Sequence, residues 1–108
     1  MDATVYKLET PITVLDKEYD SIAAAKYENN MNLALILPGE IPPENIVISV
    51  NVVDLAFEDN FCLNINSRPA LDAGRYLLSQ GLIEDVHKTL KSGFVNYPVY
   101  RFIPPKND

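Results

Sequence analysis

Cysteine and histidine each occur once in the 108-residue chain, and tryptophan does not occur at all. A lone Cys cannot close an internal disulfide, and one Cys with one His cannot assemble a zinc cage from the usual ligands. Glycine is also scarce. Gly39, Gly74, Gly81 and Gly93 are the whole complement, and they are too scattered to form a loop that cradles a nucleotide phosphate. Basic residues number nine against 15 acids, a formal net charge of −6. A surface with that balance repels nucleic acid and anionic lipid, so neither is expected as a direct partner. Long apolar runs are missing too. The longest, Leu33–Leu37 and Ile46–Val53, are strand-sized and far short of the ~20 residues a membrane helix needs. The first ten residues hold Asp2 and Glu9 but no basic cluster leading into an apolar run, so no secretory signal is read there. With a free thiol, this points to the cytoplasm. No metal or cofactor is expected.

What is present is ordinary globular material, 47% hydrophobic and 22% charged, in a length that suits one domain spanning residues 1–108. The charge is unevenly distributed. Residues 1–60 carry 11 acids against Lys7, Lys17 and Lys26, whereas residues 61–108 carry four acids against six bases. The chain is therefore acidic in its first half and mildly basic in its second.

Periodicity gives the elements. Val5–Leu8 and Ile12–Leu15 read as short strands turned at Thr10-Pro11. Ile22–Tyr27 is ambiguous, because its alanines favour a helix too short to stand alone. Two strands, Asn32–Leu37 and Ile46–Val53, flank a loop marked by Pro38-Gly39 and Pro42-Pro43. In the second, Ile46, Ile48, Val50 and Val52 alternate with Val47, Ser49, Asn51 and Val53. Phe61–Ile65 follows as a further strand. A helix is expected over about residues 69–80, with Ser67 or Arg68 near its cap, Pro69 in its first turn and Gly81 as its stop. Leu71, Gly74, Leu77 and Leu78 would form its apolar face. A helical turn at Ile83–His87 and a strand at Phe94–Ile103 complete the chain. Pro98 lacks an amide donor, so that last strand is expected at a sheet edge or bulged. The class that follows is α+β, an antiparallel sheet of about five or six strands covered by one main helix.

Few residues offer chemistry. Cys62 alternates onto a face with Asn64, and Ser49 and Asn51 join that face if their strand pairs with it. Were His87 brought near, a Cys-His-Asn constellation of the thiol-hydrolase kind would result. The simpler reading is a half-buried thiol acting as a small hydrophobe. The adjacent pairs Glu58-Asp59 and Glu84-Asp85 diverge on either a strand or a helix, so neither forms a converging acid–base couple. Asp54, Glu58 and Asp59 lack the spacing and central glycine of a calcium loop. The chain has six tyrosines, among them Tyr19 and Tyr27 in acidic surroundings, and tyrosine offers large rigid contact area with a polar tip. Of its ten asparagines, Asn51, Asn64 and Asn66 would cluster ahead of the helix, most simply as turn-closing residues.

Several short motifs occur in a telling order: Asn32-Leu33-Ala34, Ile48-Ser49-Val50-Asn51-Val52, Leu63-Asn64-Ile65-Asn66, Gln80-Gly81-Leu82, Ser92-Gly93-Phe94 and Tyr97-Pro98-Val99-Tyr100-Arg101-Phe102. Over about residues 30–103 the chain resembles a family of small proteins carried by phages and conjugative elements of gut bacteria. The resemblance implies an accessory protein of a mobile element concerned with host defence, and it supplies no catalytic residues. The expected function is non-enzymatic binding of a host protein, such as a basic nucleic-acid-binding protein of the CRISPR or restriction systems, through clustered carboxylates. The residues expected to make that contact are Asp16, Glu18, Tyr19, Asp20, Glu28, Glu58 and Asp59. Two alternatives stand beside it: a small ligand-binding or thiol-dependent domain using the Cys62/Asn64 face, and a homodimer paired through the edge strand at Phe94–Ile103.

Overall fold

A computed structural model describes residues 3–27, 32–40, 44–52 and 59–105. The protein is α+β, as its patterning predicts, but among the described residues the strands form two four-stranded antiparallel sheets instead of one.

The chain opens with a hairpin of β1 (Thr4–Val14) and β2 (Lys17–Lys26). The turn expected at Thr10-Pro11 is absent, and β1 runs straight through it. Pairing slips there instead, from Lys7 opposite Ser21 to Ile12 opposite Tyr19. An irregular stretch of an edge strand tolerates a proline because no ladder hydrogen bond is forfeited. The reversal comes at Leu15-Asp16, a two-residue loop between the paired Val14 and Lys17. Residues 22–26, ambiguous by composition, are strand. Alanine's helical preference amounts to tenths of a kcal/mol per residue, and partners on both sides override it.

β3 (Leu33–Leu37) pairs with β2, and β4 (Ile46–Val47) completes the first sheet in the order β1-β2-β3-β4. The chain then changes sheets within one residue. Ile48 is fully buried, its N–H donates to the Leu35 carbonyl, and its own carbonyl accepts from the Asn64 N–H. β5 (Ser49–Val50) begins the second sheet, which continues with β6 (Asn60–Leu63), β8 (Val95–Phe102) and β7 (Ile83–Ser92), in the order β5-β6-β8-β7. This crossing corrects the single apolar face expected for 46–53. Ile46 and Ile48 enter the main core, Val50 and Val52 pack on the far side of the second sheet, and Ser49 is buried.

Helix α1 (Arg68–Ser79) matches the sequence signals closely. Ser67 caps it by accepting from the Ala70 N–H, Pro69 lies in its first turn, and Gly81 leaves it with φ +73°. Its buried face is Ala70, Ala73, Gly74 and Leu77, while Leu78 points to solvent. Small residues let the helix approach the sheet closely: a methyl on Gly74 would lie 3.1 Å from a Leu63 methyl. The helix touches β1, β4, β6 and β7, and so bridges both sheets. Between them lies one core that includes Leu8, Ile12, Ile22, Leu35, Phe61 and Leu77. Burial of each such side chain contributes about 1.5–3 kcal/mol.

Two further expectations are corrected in the second sheet. Residues 83–87 are strand, not a helical turn, with His87 in the left-handed region (φ 61°) and its N–H donating to the Asp85 carboxylate at 2.8 Å. β8 is an interior strand despite Pro98. The irregularity sits in its neighbour β7, whose register shifts between Asp85 and Thr89. Tyr97 and Val99 face outward into a second, smaller apolar cluster with Val52 and Cys62, while Tyr100 and Phe102 face the main core.

Candidate functional site

The seven residues singled out by charge and aromaticity separate in space. Asp16 occupies the tip of the first hairpin, Glu18 lies opposite Thr13, and Asp20 is two residues farther along β2. All three side chains are exposed, and none forms an ion pair with a described residue. Lys17, the base among them, is engaged elsewhere: its Nζ donates to Glu44 Oε1 at 2.6 Å. The hydrogen bond from Lys17 pulls the Glu44 carboxyl below its usual range, and the same bond holds the lysine's pKa above its usual value. The tip therefore presents carboxylates whose neighbour in sequence, Lys17, is already paired.

Tyr19 is not a docking aromatic. It is only 4% exposed, belongs to the main core, and its hydroxyl donates to the Glu44 carbonyl at 2.9 Å. Alternation explains the correction: Tyr19 faces inward with its partner Ile12 while Glu18 and Asp20 face out. Asp59 is exposed but remote. It lines an open cavity of about 590 Å³ with Thr4, Tyr6, Ala24, Lys26 and Phe102, at the far end of the hairpin from Asp16. Strand rise puts those ends on the order of 30 Å apart. Glu28 and Glu58 lie outside the described residues, as does Asp54 of the rejected calcium loop.

Beside the hairpin tip is a cleft of about 360 Å³ whose apolar lining includes Val14, Leu15, Ile46 and Val47. Leu15 is 61% exposed and Val47 47%. Leu15 and Asp16 both hold positive φ, 51° and 66°, the pattern of a type I′ turn, which normally carries Asn-Gly. A leucine held there is strained, and such strain concentrates at functional sites. Composition and charge did not reveal Leu15 or Val47. The signal was the two-residue spacing between Val14 and Lys17, legible only once the hairpin is known to turn there.

The thiol-centred alternative dissolves on geometry. Cys62 is fully buried within the small apolar cluster, and burial pushes its thiol up to about 11. At neutral pH it is a protonated hydrophobe, not a nucleophile. Ser49, expected on its polar face, is instead buried and bonded to the Leu35 N–H and the Tyr27 hydroxyl. Asn51 accepts from Asn32 at 3.1 Å, and Asn66 reaches the Tyr97 hydroxyl. His87 is an exposed bulge residue 3.7 Å from Asp85, and among the described residues no hydrogen bond joins it to Cys62. The described residues contain no group of three or more potential metal ligands, and no helix among them is long and apolar enough to cross a membrane.

No protein-family model matches the chain, and searches of curated proteins and of solved structures return no significant match. Site geometry is thus the basis for a functional reading.

Proposed function

We propose that the protein is a non-enzymatic binding protein whose acidic hairpin, Asp16, Glu18 and Asp20, docks on a basic protein surface. The observation that carries the reading is the arrangement of three exposed carboxylates along one hairpin, without a described ion-pair partner. Successive carboxylates on an extended strand present negative charge at short intervals, as a phosphate backbone does, and a basic nucleic-acid groove would accept them. The resemblance to proteins borne by phages and conjugative elements supplies the setting: inhibition of a host nuclease of the CRISPR or restriction type by occupying its groove. The cytoplasm is where such a partner resides.

The test is capture of partners from a host extract on immobilised protein, with wild type compared to a variant carrying Asp16→Lys, Glu18→Lys and Asp20→Lys. Wild type should retain a basic protein and release it as salt rises, since exposed charges are screened over ~10 Å at 0.1 M. The reading fails if the triple variant retains the same proteins as wild type.

A further inference from the structure

A second hairpin carries the opposite chemistry. β7 and β8 are joined by Gly93-Phe94, a two-residue loop between the paired Ser92 and Val95, with Gly93 at φ +63° as the first position of a type II′ turn requires. Phe94 at its tip is wholly exposed. From Val86 to Pro105 the sequence contains no acid at all, only Lys88, Lys91 and Arg101 with His87. Arg101 is paired with Glu84, whereas Lys88 and Lys91 are exposed along the arm. A basic arm ending in a bare aromatic ring is unexpected in a chain of net charge −6. Fixing that ring on a tight turn leaves an apolar surface in water that a partner contact would bury.

The same molecule holds a matching receptor. The cleft of about 360 Å³ at the first hairpin has room for a phenyl ring and offers exposed Leu15 and Val47 as apolar walls. Its rim is net acidic: Asp16 adjoins Leu15 at the tip, and two carboxylates, Glu44 in the lining and Glu40, act on Lys17, the single base that lines it. Phe94 does not occupy the cleft of its own chain, because the ring is fully exposed. Knob and hole nevertheless lie toward one side of the molecule. Asn66 bonds Tyr97 in the arm, and the neighbouring Asn64, Ser67 and Pro69 line the cleft.

We infer that the occupant of the cleft is a second copy of this chain, with Phe94 of one copy seated between Leu15 and Val47 of the other and Lys88 and Lys91 facing its acidic rim. This goes beyond the proposed function: it assigns the acidic tip a self-contact, and purified protein alone tests it, so its failure leaves the host-partner reading untouched. It also relocates self-association from the β8 edge, which does not exist, to a knob-and-hole exchange. An exchange of this kind closes into a two-fold dimer when both knobs engage at once.

The experiment is sedimentation of purified protein over a wide dilution series, for wild type, Phe94→Asp and Val47→Asp. Both positions are exposed, so both variants should keep the wild-type circular dichroism. Wild type should show concentration-dependent association that weakens with salt. Each variant alone should associate at least about tenfold more weakly, the equivalent of about 1.4 kcal/mol. Mixed together, the two variants should recover a one-to-one complex, because the Val47→Asp copy keeps a knob and the Phe94→Asp copy keeps a hole. A wild type that remains monomeric at every concentration overturns the inference, as does association that neither variant weakens or a mixture that fails to recover it.

Discussion

Replacing Leu15-Asp16 with Asn-Gly should stabilise the protein while removing one wall of the cleft. Both residues sit in the left-handed region, at φ 51° and 66°, in the two-residue loop that joins β1 to β2. The left-handed conformation costs an ordinary L-residue roughly 1–2 kcal/mol, and less for Asp or Asn, whose short side chains bond locally. Leu15→Asn therefore relieves about 1 kcal/mol. Asp16→Gly gains less, since part of the relief is offset by about 0.5–1 kcal/mol of additional chain entropy in the unfolded state. Little burial is lost, because Leu15 is 61% exposed. The net expectation is a gain of about 1 kcal/mol, or about 4–8 °C in melting temperature for a domain of this size. Urea denaturation would read it as a raised midpoint with an unchanged slope. Leu15→Val is the counterpart: a β-branched side chain at positive φ should cost about 1 kcal/mol or more. An Asn-Gly variant no more stable than wild type, or a neutral Leu15→Val, would refute the claim that strain is stored in this turn. A stabilised Asn-Gly variant should also self-associate more weakly, the trade expected when strain is kept for function.

Three other outcomes follow from the packing. Ser49→Ala should destabilise by about 1–3 kcal/mol in the same urea assay, because the buried Leu35 N–H and the Tyr27 hydroxyl both lose their partner; a loss below a few tenths would show that the bonds are not needed. Gly39→Ala should lower stability and disturb the Lys17–Glu44 pair. The added carbon would fall 2.5 Å from the Glu44 Cβ and 2.9 Å from its backbone carbon, so the chain itself must move; a fully stable variant with an unperturbed Glu44 titration by NMR would contradict this. Cys62 should resist alkylation in the native state. Its thiol is raised to about 11 in the fold against ~8.5 when unfolded, so the unfolded form loses its proton first as pH rises. The stability this contributes is complete below about pH 8.5 and fades toward pH 11, a slope Cys62→Ala should remove; an identical pH profile in that variant would overturn it.

The acidic half of the proposed contact was visible in the linear pattern. Asp16, Glu18 and Asp20 stand out as alternating charges, and alternation on an exposed hairpin keeps Glu18 and Asp20 in solvent. Its apolar half was not. Leu15 and Val47 read as strand residues like any other, and Phe94 as part of a strand, because exposure depends on where the chain reverses. Tyr19 erred in the other direction, since acidic neighbours in sequence say nothing of the partner strand that turns a ring inward.

Local order was decided by the chain itself. Ser67, Pro69 and Gly81 bound the helix because capping, a fixed φ and a left-handed stop act within a few residues. The α+β class and the division of charge between the two halves are likewise properties of the string. Tertiary structure alone decided which strands meet. The passage of the chain between sheets at Ile48, the continuity of β1 through Pro11 and the interior place of β8 all depend on hydrogen bonds to residues far away in sequence. A period of two fixes the two faces of a strand but not its neighbours. The acidic charge that first excluded nucleic acid as a partner thus gained a position only on folding, which set Asp16 at the hairpin tip next to the cleft and Glu18 and Asp20 on the outer face of β2.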